Sequence, residues 1–133
     1  MSFNSPDGLR FHRDHLWVKP AGNENEGVIG LSDFAQKQLG KILFVELPRT
    51  GEHLEVGAAF GTVESYKVVS DLIAPASGEV LETNVSLKQA AGLLNDDCYG
   101  AGWLVRIKFS ELEDFSTLFT ADSYSIWLGD RAK

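Results

Sequence analysis

The chain has 133 residues, enough for one hydrophobic core and too few for two independent ones. At 44% hydrophobic and 23% charged residues it is not a disordered chain, and its net charge of -7 opposes general attraction to nucleic-acid phosphates or anionic membranes. The single cysteine, Cys98, excludes an intramolecular disulfide and a thiolate metal cluster, and no run approaches the ~20 apolar residues of a membrane span, so a soluble, cytoplasmic protein is expected.

Residues 1–8, rich in Ser, Asn, Pro and Gly, predict a flexible amino-terminal arm, with a single domain over residues 9–133. Strands are expected at Leu9 to His12 and Leu16 to Lys19, closed by Pro20 and the polar loop "AGNENEG". "SDFAQKQLG" then predicts a helix of about two turns: Ser32 is an N-cap, Asp33 complements the positive helix end, Phe34 and Gln38 share a face, and Gly40 suits the C-cap.

From Lys41 the text is strand-like. "ILFVEL" stops at Pro48, "PRTGEHLEVG" carries turn chemistry, and "AAFGTVES" and "KVVSDLIA" flank a tight turn at Lys67. In the first of these flanks Phe60, Thr62 and Glu64 share one face, and Gly61, Val63 and Ser65 the other. "PASGEVLETNV" supplies another turn and strand. Ser86 is the expected cap of a short helix "LKQAAGLLN", with Leu87, Ala90, Ala91 and Leu94 inward and Gly92 as a weak point. "DDCYGAG" reads as loop, "WLVRIKF" as a strand anchored by Trp103, and "SELEDFSTLFTADSYSIWLGD" as one or two helices, the first with Leu112, Phe115, Leu118 and Phe119 on its apolar face. Short strands punctuated by Gly and Pro predict a sandwich or barrel and not a parallel βαβ sheet.

Enzymatic constellations are sparse. Cys98 has an acidic neighbour and no cation beside it in sequence to lower its pKa. His12 and His15, three apart in strand-and-turn text, lack further ligands at zinc-motif spacing, and Glu24, Glu26, Glu111 and Glu113 belong to solvated segments. Neither GxxxxGK[ST] nor a strand-to-helix GxGxxG occurs. Lys67 stands apart. Tyr66, Val68 and Val69 surround it with apolar side chains, Glu64 and Asp71 bracket it, and none of the Gly, Asn or Asp residues that ease a tight turn is present. Something other than turning is specified there.

Four motifs in order, "FHRDHLWV", "VIGLSDFAQKQLGKILFVELPRTG", "FGTVESYKVVSDLIAPASGEV" and "NDDCYGAGWLVRIK", resemble those of the glycine cleavage system H protein family nearly end to end. The resemblance implies a mainly β fold, a barrel-sandwich hybrid of antiparallel strands with short peripheral helices and a C-terminal helix. It implies lipoate joined covalently to Lys67 by a lipoate-attaching enzyme, with Glu64, Ser65, Tyr66, Val68, Ser70 and Asp71 as recognition residues. It implies a carrier and not an enzyme, one that receives an aminomethyl group from glycine decarboxylase, presents it to aminomethyltransferase and is reoxidised by dihydrolipoyl dehydrogenase. The chain departs from the family text at Leu16, Tyr66, Val68-Val69 and Cys98. The altered tip keeps open an alternative, an H-like lipoate-binding protein carrying sulfur intermediates for a heterodisulfide-reductase-like sulfur-oxidation complex, because function follows the site and its partners.

Overall fold

The computed structural model describes residues 8–21, 23–110 and 118–131. Among these, ten strands form two antiparallel sheets. They are β1 (Arg10–Phe11), β2 (Leu16–Ala21), β3 (Asn23–Leu31), β4 (Ile42–Glu46), β5 (His53–Leu54), β6 (Ala59–Ser65), β7 (Val69–Ile73), β8 (Gly78–Thr83), β9 (Val105–Phe109) and β10 (Phe119–Thr120). One sheet runs β10-β1-β2-β3-β9-β8-β5 and the other β4-β6-β7. Three helices, α1 (Asp33–Leu39), α2 (Leu93–Asp96) and α3 (Ala121–Arg131), lie outside the strands. The expected barrel-sandwich hybrid is the fold observed.

Three consecutive residues of β2, Leu16, Trp17 and Val18, are all buried, so both faces of this strand are covered. Leu16 and Val18 join Ile29, Val80 and Ile107 of the large sheet and Val63 and Leu72 of the small one in the main core. Trp17 points the other way, into a second cluster with Phe11, Tyr124 and Leu128 beneath α3. Gly30 lies opposite Trp17 in the β2–β3 ladder, and a Cβ there would collide with the indole ring. Tyr124 stacks on Phe11 with ring centroids 4.5 Å apart. Thr120 and Ser123 cap α3 reciprocally, Thr120 Oγ1 accepting from Ser123 N at 3.1 Å and Ser123 Oγ from Thr120 N at 2.9 Å.

Several sequence expectations need correction. The polar run after Pro20 is mostly strand: β3 begins at Asn23 and pairs with β2 through Pro20, with a register shift at Pro20/Ala21. Its polar character is that of a strand with a wetted face, where Glu26 pairs with Arg106 of β9 at 2.5 Å. His53–Leu54, read as turn, adds to β8. The segment after Asn84 is not one helix. Asn84, not Ser86, caps a 3-10 turn at Val85–Lys88, and α2 starts only after Gly92, leaving Ala90 exposed. Phe119 belongs to β10, opposite Phe11, and not to a helix face. Leu112 and Phe115, like the arm up to Asp7, lie outside the described residues.

Candidate functional site

β6 and β7 form the predicted hairpin, joined by Tyr66, Lys67 and Val68. No residue of this link has positive φ, so the turn is held by Ser65. That residue is only 4% exposed. Its N–H donates to Val68 O at 2.8 Å, while its hydroxyl accepts from Lys67 N at 3.3 Å and Val68 N at 3.2 Å and donates to Val68 O at 3.3 Å. A small buried hydroxyl therefore replaces the glycine or asparagine a tight turn ordinarily needs. Ser65 shapes the tip from beneath, whereas Glu64, Tyr66, Val68 and Asp71 are exposed and Ser70 is half-buried.

Lys67 is exposed, and its stem leans on the end of α1. A Cβ built on Gly40 would sit 3.4 Å from Lys67 Cε and 3.9 Å from Nζ. Gly40 has φ 78 and ψ -154, a conformation reserved for glycine, and its N–H closes α1 on Gln36 O. The segment that follows is fastened twice. Tyr66 N donates to Lys41 O at 3.3 Å. Asn95 of α2 donates to Gly40 O at 2.8 Å and Gln36 Oε1 at 3.0 Å and accepts from Ile42 N at 2.9 Å. The tip is thus tied to both helices through backbone that Asn95 satisfies.

A groove of about 150 Å³ opens between β7, α1 and the β1–β2 turn. Its floor is apolar, from Leu16, Leu31, Ala35, Leu39 and Leu72, and its rim carries Asp14, His15, Ser70 and Asp71. Leu39 of this lining is the residue before Gly40, beside which the Lys67 stem lies. His15 holds the far wall in a left-handed backbone conformation, φ 69. Its Nδ1 shares a hydrogen bond of 2.8 Å with Tyr124 Oη, which also meets Ser32 Oγ at 3.0 Å, and its ring lies 4.5 Å from that of Phe34. Burial pushes the Tyr124 phenol up to about 12, so it stays protonated as a donor to this network.

The remaining candidates do not line this groove, although His12 Nδ1 lies 3.2 Å from Asp14 Oδ2 at its rim. Cys98 is buried, its carbonyl accepts from Trp17 Nε1 at 2.9 Å, and burial, then the nearby Asp33 carboxylate, pushes its thiol up to about 12. His12 packs at the start of the β1–β2 turn, its pKa lowered by burial. Among the described residues, no group of three or more His, Cys, Asp or Glu side chains is placed to hold a metal ion, and no helix is long and apolar enough to cross a membrane.

A family model described as "Glycine cleavage H-protein" matches residues 9–130. The chain belongs to the glycine cleavage H-protein family. It is 45% identical over 124 residues to the probable glycine cleavage system H protein of Natronomonas pharaonis, an overlap of 93% of this chain and 96% of that one. It is 43% identical over 119 residues to the glycine cleavage system H protein of Carboxydothermus hydrogenoformans, covering 90% of each chain. The crystal structure of a glycine cleavage system H protein from Mycobacterium marinum superposes with a TM-score of 0.83 at 34% identity, over 96% of this chain and 99% of that one. Sequence reasoning singles out the hairpin lysine but misses Asp14, His15, Gly40 and Asn95 as parts of its surroundings. Only tertiary contact joins them, and the positive φ of His15 leaves no mark in composition.

Proposed function

We propose that residues 9–133 act as one lipoyl-carrier domain, shuttling an aminomethyl group on a lipoyl group in amide linkage to Lys67 Nζ. The observation that carries this reading is the exposed lysine at the tip of a hairpin whose backbone is fixed by a buried serine, with an apolar groove at its foot. The residues present fit such a group: the stem is already directed over Gly40, and the groove floor is hydrocarbon with carboxylates at the rim. When bound, a lipoyl group supplies two redox-active sulfurs and the point of attachment for the cargo.

The chain's own residues do the positioning. Ser65 and Lys41 hold the turn, so the lysine is presented outward from a fixed main chain, with its stem beside the end of α1. Leu16, Leu31, Leu39 and Leu72 exclude water from a stowed arm. Asp14 and Asp71 at the rim oppose an ammonium on the cargo with negative charge. Family membership supports a lipoate-attaching enzyme, glycine decarboxylase, aminomethyltransferase and dihydrolipoyl dehydrogenase as partners. The chain itself is a carrier and not a catalyst.

The test is direct. Coexpression with a lipoate-attaching enzyme and lipoate is expected to add the mass of one lipoyl group to the wild type and nothing to Lys67→Arg. The lipoylated wild type is expected to be loaded by glycine decarboxylase with glycine as donor. A lipoylated chain that this enzyme does not load, but that a sulfur-oxidation complex does, would assign the carrier to the other pathway.

A further inference from the structure

The outer face of the three-stranded sheet, beside the lysine, carries more apolar surface than its strands require. Phe44 of β4, Glu64 of β6 and Val69 of β7 stand in one cross-strand row, and Glu46, Thr62 and Asp71 in the next. Opposed residues of an antiparallel ladder share a face. Here the shared face is the solvent side: Phe44 is 65% exposed and Val69 63%, with Tyr66 at the tip 73% exposed. Val63, whose side chain alternates with these, is buried.

Phe44 reaches that face by a specific device. Ile42 and its partner Ser65 are both buried, so regular alternation would turn Phe44 inward as well. A register shift between Ile42 and Phe44 inserts one extra residue and turns the ring outward. Bulges re-aim side chains in this way and are over-represented on edge strands such as β4 and beside active sites. An aromatic ring held in water next to a modifiable lysine is the arrangement of a binding anchor.

We infer that this sheet face docks the lipoylated chain on the enzyme that loads its arm, and that the partner offers an apolar pocket for Phe44 rimmed by Arg or Lys side chains. The inference rests on the carrier reading above and adds the docking surface and its chemistry. Charge complementarity selects the occupant. Three carboxylates, Glu46, Glu64 and Asp71, share the face with Phe44 and Val69, whereas the cations of the tip are Lys41 and Lys67. Forming the amide at Lys67 Nζ replaces the ammonium by a neutral N–H, so attachment removes one positive charge and leaves the tip more acidic. A basic-rimmed partner therefore holds the lipoylated chain more tightly than the unmodified one, and both less tightly as salt rises.

The experiment compares lipoylated wild type, Phe44→Ala, Val69→Thr, Glu64→Gln and Val85→Ala, each verified by intact mass, as carriers for purified glycine decarboxylase. Isotope exchange between bicarbonate and the glycine carboxyl is followed against carrier concentration. Phe44→Ala is expected to raise the carrier KM by about thirtyfold with kcat unchanged, the size of a hot-spot truncation. Val69→Thr keeps a strand-forming residue and is expected to raise KM by a smaller factor. Glu64→Gln is expected to flatten the salt dependence of KM. Val85→Ala, which trims an apolar residue that is 66% exposed elsewhere, is the control and is expected to behave as wild type. If wild type is active and Phe44→Ala and Val69→Thr keep its KM, the docking face is wrong and the carrier reading stands. If glycine decarboxylase does not load the lipoylated wild type at all, the aminomethyl-carrier reading fails and the docking face for that enzyme with it. A wild-type dimer in sedimentation that Phe44→Ala dissociates would give the face to a second copy of the chain and overturn the inference.

Discussion

Ser65→Ala isolates what the buried hydroxyl does for the tip. The substitution removes three contacts of 3.2 to 3.3 Å, to Lys67 N, Val68 N and Val68 O, each longer than the usual hydrogen-bond distance. Lys67 and Val68 are exposed, so water takes over part of what is lost. The main-chain bond from Ser65 N to Val68 O at 2.8 Å survives, so the hairpin itself persists. The net loss is then about 1 kcal/mol, the value of one ordinary hydrogen bond. For a chain of this length that corresponds to a fall in Tm of about 3–5 °C. The same loss confined to the link would leave the attachment-competent conformer populated up to about fivefold less, and the apparent kcat/KM for lipoylation falls in proportion. Thermal melts and the time course of mass increase with a lipoate-attaching enzyme measure the two effects separately. A Ser65→Ala chain that is lipoylated at the wild-type rate and melts within about a degree of wild type would refute the reasoning and leave the main-chain ladder as the sole support of the turn.

Lys67→Arg is expected to leave Tm unchanged, within the ~0.5 kcal/mol of a typical exposed substitution, while abolishing mass increase on attachment. Gly40→Ala forces a Cβ into a backbone conformation reserved for glycine and against the Lys67 stem, so a destabilisation of about 1–3 kcal/mol in denaturant melts is expected together with slower attachment. Cys98, with a thiol pushed up to about 12, is expected to resist alkylation at pH 8 in the folded protein and to react once denaturant is added. His12 has a folded-state pKa below its ordinary 6.5, because burial outweighs the attraction of Asp14. The unfolded chain therefore binds the proton first, and stability is expected to fall as pH drops from 6.5 towards the lowered value and to level off below it. His12→Gln should remove that part of the pH dependence of the denaturant midpoint.

The parts of the fold that local chemistry dictates are legible in the sequence, and those set by pairing across long stretches are not. Ser32 and Gly40 mark the ends of α1 because caps act within one turn, and their side-chain and backbone bonds are those observed. The run after Pro20 misleads because a strand whose ladder lies between β2 and β9 needs only backbone pairing on both edges, and Glu26, Arg106 and Glu82 make its polar side useful as an ion-paired row. Residues 85–96 mislead because a three-four spacing runs through Gly92, whereas the 3-10 turn that Asn84 caps ends at Lys88 and α2 begins only at Leu93. Lys67 stands out by its neighbours, but the reason the turn works without glycine, the Ser65 hydroxyl, depends on burial that alternation only hints at. Phe44 is hidden for a different reason. A bulge is one residue of register, and no pattern within β4 alone distinguishes it.

These elements divide the demands of a carrier between backbone and side chain. On the reading proposed above, an arm that visits several active sites would need a mobile side chain, whereas a mobile main chain beneath it would multiply the orientations each partner has to select. The chain keeps the main chain fixed through two independent fastenings: Ser65 acts within the hairpin, and Lys41 with Asn95 ties the hairpin to α1 and α2. Freedom then begins only beyond Lys67 Cα, and the stem lies beside Gly40, whose positive φ keeps a side chain from that position. The groove next to it is walled by His15, whose position depends on Tyr124 of α3. Loss of the Tyr124 hydroxyl is therefore expected to be felt at the groove wall, although the residue itself is buried on the inner side of α3.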